Sequence, residues 1–189
     1  VQVEETVYTA DKIVLATGTR PSPLDIEGGR LMDLSDDVFG WTHVPRSLVV
    51  IGGGYIGCEM AAIFNGFGSQ VTIVSDGPAV LTEFSEAAQK LAAENLRTTG
   101  VTLMLDTEPK QVVACDGMHQ ITLSDGTVLE AERVLNATGR DPNLEVFGDL
   151  DRPEQADTGA LAVDDGFQTS IEGIYALGDL ADRLPLTPV

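Results

Sequence analysis

Gly52, Gly54 and Gly57 are spaced as G-x-G-x-x-G, directly after the apolar run SLVVIG at 47–52 and at the head of a stretch with helical periodicity. In that setting the first glycine permits a tight turn, the second lets the main chain come close to a pyrophosphate, and the third lets helix and strand pack together. The leading amides of such a helix have no partner within it and sit at the positive end of its dipole. Residues 52 to 57, the amides of Tyr55 and Ile56 included, can therefore cradle phosphate oxygens. Because the helix leads into a second strand, the motif points to a bound dinucleotide.

That second strand, QVTIV at 70–74, is followed by Ser75, Asp76 and Gly77, the place where the choice of nucleotide is made. An acid there accepts hydrogen bonds from the adenosine ribose, whereas arginines there pair with a 2′-phosphate. No basic residue stands between Arg46 and Lys90, so NADH is favoured over NADPH by the missing cation. Asp76 comes one position late for the ideal acid and needs a turn at Gly77 to redirect it. Tyr55 and Glu59 are four residues apart and share one face of the helix. Packing and a solvated carboxylate are their ordinary uses; a carboxylate so near a phosphate-binding terminus favours a catalytic one. Cys58 and Cys115 are far apart and read as free thiols, and His43 and His119 make no metal-ligand pattern, so no metal site is expected.

The surrounding elements follow from periodicity. SLVVIG reads as a strand buried on both faces of a parallel sheet. The helix from Tyr55 to Phe67 places Ile56, Met60, Ile63, Phe64 and Phe67 at helical spacing, and Gly68 stops it. SEAAQKLAAENLR at 85–97 is an amphipathic helix capped by Ser85, and VTLML at 101–105 is a third strand. QVVAC, HQITL and TVLEAE then form a meander through turns at Asp116-Gly117 and Asp125-Gly126. DKIVLATG at 11–18 and ERVLNATG at 132–139 match in charge order, apolar run and closing Ala-Thr-Gly, which suggests two related domains. VQVEETVYTADKIVLATG at 1–18 resembles the last strands of another meander, and the chain is expected to be an incomplete portion of a longer protein.

Composition narrows the partners. Thirty acidic residues against eleven basic ones give a net charge of -19, which repels nucleic acid and anionic lipid, so any phosphate must be held by local amides. No apolar run approaches the roughly 18 residues that span a bilayer.

Four stretches taken together resemble one family, the pyridine nucleotide-disulfide oxidoreductases, flavoenzymes with two dinucleotide sites: IVLATGTRP (13–21), VVIGGGYIGCEMAAIFNGFGSQVTIV (49–74), LNATGRDPN (135–143) and GIYALGDLADRLPLTPV (173–189). FNGFG and the DRLPLTPV ending are most similar to glutathione and trypanothione reductases. The resemblance implies an α/β fold: a Rossmann-like, three-layer dinucleotide-binding domain with a β-meander, of the FAD/NAD(P)-binding type. It implies that residues 1–45 end a first FAD-domain segment and its linker, that 46–144 are an NAD(P) domain, and that 145–189 begin a second FAD-domain segment. Thr17, Gly18, Thr138, Gly139 and Arg140 would line the cofactors, and Gly178 and Asp179 would meet the flavin, Asp179 through the ribityl chain. Leu186 and Thr187 would lie against the isoalloxazine, Tyr55 would cover the flavin and swing aside for nicotinamide, and Glu59 would sit near both rings.

The expected function is that of a glutathione-disulfide reductase-like enzyme using FAD and NAD(P)H on a small disulfide, homodimeric and cytoplasmic in its full form. The reduced flavin would open a redox disulfide outside this stretch, so the chain alone is expected not to turn over. Ser75 and Gly57 depart from the arginine and alanine usual in glutathione reductases, which favours NADH. The alternatives are a dihydrolipoamide dehydrogenase, an NADH oxidase or ferredoxin reductase-type flavoenzyme, and an isolated nucleotide-binding module.

Overall fold

The structure is a computed structural model that describes residues 1–148, 150–181 and 183. Among the described residues, those of 1–20 with those from 140 onward form one compact unit, and residues 21–139 form another.

The first unit opens with β1 (Gln2–Val3) and β2 (Thr6–Val7), an antiparallel hairpin, followed by β3 (Ile13–Leu15) and β4 (Thr19–Pro21). In the second unit come β5 (Asp33–Leu34), β6 (Ser47–Ile51), α1 (Tyr55–Gly66), β7 (Gln70–Val74), α2 (Glu86–Thr99) and β8 (Thr102–Met104). The meander follows as β9 (Pro109–Cys115), β10 (Met118–Leu123) and β11 (Val128–Ala131), and β12 (Arg133–Asn136) closes the unit. The chain then returns to the first unit with β13 (Arg140–Pro142) beside β4, and β14 (Ile174–Ala176) parallel to β3.

The second unit has three layers. Its central sheet runs in the order β5-β12-β6-β7-β8, and every neighbouring pair is parallel. Alternate residues of β6 serve opposite faces: Leu48 and Val50 pack with α1 and α2, while Val49 and Ile51 pack with the meander through Val112, Ile121 and Leu123. A strand covered on both sides must be apolar throughout, which is why SLVVI shows no polar alternation. β5 extends the sheet from a segment in which no strand was expected. It has only two residues, too few to leave a periodic signal.

Three glycines set the element ends. Gly68 at φ 98 stops α1 and Gly100 at φ 106 stops α2, whose N-terminus is capped by Ser85 Oγ accepting from the Ala88 amide at 3.4 Å. The β9–β10 hairpin turns through Asp116 (φ 50) and Gly117 (φ 78), the left-handed pair that matches strand twist.

One feature of α1 differs from its periodicity. The residues it buries are Gly57, Cys58, Ala61 and Phe64, whereas Ile63 and Phe67 are 47% and 66% exposed. Three of these four are small and let the helix axis approach the strands, Phe64 fills the space beside them, and Ile63 and Phe67 are turned to the flank. There they line an open apolar groove of about 470 Å³ with Phe39, Trp41 and Val44.

In the first unit, Leu15, Ala176, Leu161, Leu180, Leu144 and Phe147 form the core. Among the described residues no helix is long and apolar enough to cross a membrane.

Candidate functional site

The glycine turn joins β6 to α1, and each glycine has a measurable reason to be there. Gly52 adopts φ 112, and a Cβ on it would stand 2.4 Å from the Ala137 carbonyl oxygen at the end of β12. At Gly57 a Cβ would stand 2.1 Å from the Gly52 carbonyl oxygen, so the first turn of α1 rests on the glycine turn itself. Gly54 is the opposite case: it is exposed, and nothing lies within 4 Å of the place its Cβ would occupy. Two glycines therefore close the turn and one opens it.

Gly54 is also the N-cap of α1, and no side chain caps the helix or places an acid in its first turn. The amides of Tyr55, Ile56 and Gly57 are left to an external acceptor, in a protein otherwise rich in negative charge. The first helical bond, from the Cys58 amide to the Gly54 carbonyl at 3.0 Å, fixes their direction. An open backbone at an uncapped helix start is what a diphosphate requires, so the residues present fit a dinucleotide.

Two supports of this turn escaped the sequence reading. Gly53 is buried, and a Cβ there would lie 2.9 Å from Ser75 Oγ; its carbonyl accepts from the Leu81 amide at 2.8 Å. The triple glycine was the available signal, because only two of the three belong to the spacing motif. Asn136, 4% exposed, donates Nδ2 to the Ser22 carbonyl at 2.9 Å, while its Oδ1 accepts from the Thr138 amide at 3.1 Å and from Thr138 Oγ1 at 2.8 Å. A lone polar letter at the end of an apolar strand was its only mark.

The other expected site residues fall as follows. Ser75 is buried beneath the glycine turn, and Asp76 beyond it is exposed. Tyr55 and Ile56 are half-buried and Glu59 is exposed on the first turns of α1. Thr138 and Gly139 are exposed in the turn after β12, alongside Gly52. Cys58 is buried, with Sγ 3.5 Å from the Gly53 carbonyl, and burial followed by the nearby Glu59 charge pushes its thiol up to about 11. It is therefore a protonated thiol at neutral pH.

In the first unit, Gly18 and Gly178 take φ 66 and φ 64, each with open space around the Cβ position. They follow the parallel neighbours β3 and β14, whose pairing extends to the Leu177 amide donating to the Leu15 carbonyl at 2.9 Å. Thr17 Oγ1 donates to the Asn143 carbonyl, and Thr19 Oγ1 donates to Asp179 Oδ2 at 3.4 Å. Arg140 belongs to this unit, where Nε and Nη2 donate to Thr19 Oγ1 and the Thr19 carbonyl at 2.7 and 2.9 Å. Leu186 and Thr187 lie outside the described residues. Among the described residues no cluster of three or more His, Cys, Asp or Glu could hold a metal ion.

A five-stranded parallel sheet with a glycine turn at the carboxyl end of β6 and an uncapped helix behind it defines a dinucleotide-binding α/β protein. The chain belongs to the pyridine nucleotide-disulphide oxidoreductase family, whose model matches residues 1–189. It is 39% identical over 183 residues to a glutathione reductase of Burkholderia cepacia, covering 96% of this chain and 40% of that protein. It is 36% identical to a glutathione reductase of Nostoc sp., covering 100% of this chain and 44% of the relative. The HOCl-induced flavoprotein disulfide reductase RclA of Escherichia coli, in its Cu(II) complex, superposes with a TM-score of 0.85 at 27% identity, over 94% of this chain and 41% of the other. The chain thus spans about two fifths of the length of these proteins. Family membership implies FAD and a pyridine nucleotide in general terms.

Proposed function

We propose that residues 46–144 are the pyridine-nucleotide domain of a glutathione-disulfide reductase-like flavoenzyme, that residues 1–45 end a first FAD-domain segment and supply the linker, and that residues 145–189 begin a second FAD-domain segment. The observation that carries this reading is the contrast within one turn: Gly52 and Gly57 admit no side chain, while Gly54 opens the backbone beside an uncapped helix. The amides of Tyr55, Ile56 and Gly57 hold the diphosphate, and the turn of Thr138 and Gly139 lies alongside. Tyr55 and Glu59 work at the nicotinamide end. Asp76, exposed after β7 with no cation near it in sequence, accepts from the ribose hydroxyls and favours NADH over NADPH.

For the flavin, Gly18 and Gly178 offer open left-handed backbone, and Asp179 offers a half-buried carboxylate held by Thr19. Together the two cofactors would supply hydride transfer and the reducing power for disulfide chemistry. The chain's own residues bind and orient them. We place the reduction of a small disulfide, glutathione disulfide, in the longer homodimeric, cytoplasmic protein; the named relatives in Burkholderia and Nostoc support that substrate.

Isothermal titration of the chain with NADH and with NADPH tests the site. Saturable binding with NADH the tighter is expected. Tighter NADPH by about tenfold, a difference of about 1.4 kcal/mol, would overturn the cofactor preference alone. Binding of neither by folded protein would overturn the site.

A further inference from the structure

The fit of a diphosphate depends on how the glycine turn is backed, and its backing is the turn Ala137–Gly139. The Ala137 amide donates to the Ile51 carbonyl at 2.7 Å, and the Ala137 oxygen and Thr138 nitrogen stand 2.4 and 3.0 Å from where a Gly52 Cβ would be. Any displacement of this backing is transmitted to Gly52 with little room for slack. Backbone bonds tie down its two ends, the Ala137 amide on Ile51 and the Gly139 carbonyl on the Ser22 amide at 3.0 Å, and one buried side chain holds its middle. Asn136 is the last residue of β12, opposite Ile51 in register, and is buried at 4%.

We propose that Asn136 is a positioning residue for the pyridine nucleotide: its buried amide sets the Ala137–Gly139 turn against Gly52 and fixes the direction of the Thr138 hydroxyl. The proposal rests on the assignment of the nucleotide to the glycine turn. Oδ1 takes both the Thr138 amide and the Thr138 hydroxyl proton, at 3.1 and 2.8 Å, while Nδ2 is anchored on the Ser22 carbonyl at 2.9 Å. This anchoring defines which end of the amide is oxygen. With Oδ1 accepting, the Thr138 hydroxyl must donate inward, and its lone pairs are turned outward as an acceptor only. Thr138 is exposed, so that acceptor is presented at the surface of the turn. A ligand hydroxyl or carboxamide N–H can donate to it; a phosphate oxygen cannot. Asn136 thereby selects the nucleoside part over the phosphate part at this point of the site, without touching either.

An apolar residue of similar size would suit the core better, since Ile51, opposite Asn136 at the end of β6, and Leu135, which precedes it in β12, are both buried apolar side chains. A buried amide is retained at a cost unless its hydrogen bonds are all made, and here three are. The turn geometry is what those bonds specify.

The test is NADH titration of the chain carrying Asn136→Leu, Thr138→Val, or both, with Val101→Ala as a control that weakens the helical side of the core. Wild type is expected to bind, Asn136→Leu to bind about tenfold more weakly, and Thr138→Val a few-fold more weakly. The double variant is expected to lose less than the product of the two, because both changes remove the same hydroxyl bond. Val101→Ala is expected to lower the unfolding temperature without moving Kd. Unchanged Kd in Asn136→Leu, or losses that multiply in full, would overturn the proposal while leaving the glycine site standing. Should Asn136→Leu fail to fold, Thr138→Val decides: affinity equal to wild type overturns the proposal. If wild type itself does not bind NADH or NADPH, the site and this proposal fall together.

Discussion

DKIVLATG at 11–18 and ERVLNATG at 132–139 are built alike and used alike up to one residue. Each is a strand, β3 or β12, that runs parallel to a neighbour ending in a left-handed glycine. β3 lies beside β14 and Gly178, and β12 lies beside β6 and Gly52. The threonine of each Ala-Thr-Gly turn is held by an asparagine. In the first unit Asn143 does this from a distant part of the chain, its Nδ2 donating to the Thr17 carbonyl at 2.8 Å. In the second unit Asn136 does it from within the strand, in the position that Leu15 fills in β3. The same pattern of letters thus supports two turns whose backbones differ, with Gly18 at φ 66 and Gly139 outside the left-handed region. What distinguishes the two regions is where the polar tether comes from, and how tightly the neighbouring glycine is enclosed.

Enclosure gives the largest expected difference. Gly52→Ala meets the Ala137 carbonyl at 2.4 Å as well as an unfavourable φ, and is expected to cost about 3–4 kcal/mol in urea unfolding and to abolish nucleotide binding. Gly178→Ala meets open space and is expected to cost only the backbone term, about 1 kcal/mol. Equal losses would erase the contrast between the two glycine turns.

Exchanging the distinguishing residue comes next. Leu15 is buried at 8% among Leu161, Ala176 and Leu180, where an amide has no partner waiting. Leu15→Asn is therefore expected to destabilise by about 2–3 kcal/mol in the same assay. A neutral result would mean that the first unit already tolerates the second unit's tether.

The residues that open the two strands differ through their surroundings. Glu132 accepts from the Arg46 amide and from His43 Nε2, each at 2.8 Å, and Arg46 Nε lies 3.6 Å away. The His43 hydrogen bond, followed by that of the Arg46 amide, holds its carboxyl down at about 2. A carboxylate lowered on folding contributes stability above its ordinary value near 4.5 and loses it as pH falls toward 2. Glu132→Gln should accordingly flatten the stability profile between pH 4.5 and 2, by on the order of 1 kcal/mol once solvent screening at this rim position is counted. Asp11, its exposed counterpart, should be replaceable by Asn with a change within about 0.5 kcal/mol. Chemical denaturation at several pH values measures both.

The smallest effect, at Gly139, is set against that at Gly18. Gly18→Ala carries the left-handed penalty of about 1 kcal/mol, whereas Gly139→Ala meets only Ser22 Oγ at an ordinary 3.6 Å and is expected to be neutral in thermal unfolding. A clear loss at Gly139 would show that its backbone freedom matters after all.

Much of this molecule was legible as letters because the relevant physics is local. Strand β6 shows as an unbroken apolar run, the helix ends show as Ser85, Gly68 and Gly100, and the hairpin shows as Asp116-Gly117; each is set by residues within a few positions of one another. The spacing of Gly52, Gly54 and Gly57 belongs to the same class, since the turn and the helix start it governs are contiguous. Which stripe of α1 faces the sheet was not legible: Ile63 and Phe67 fit the period as well as Ala61 does, and only the distance between helix and strands chooses among them. The roles of Gly53, Ser75 and Asn136 were hidden for a related reason. Their partners, Leu81, Gly53 and Ser22 with Thr138, are fixed by strand order and register. Sequence by itself determined that a glycine turn joins a buried strand to a helix and which elements frame it. Tertiary structure decided which side chains hold that turn in shape, because close contact between distant segments leaves no periodic trace in either of them.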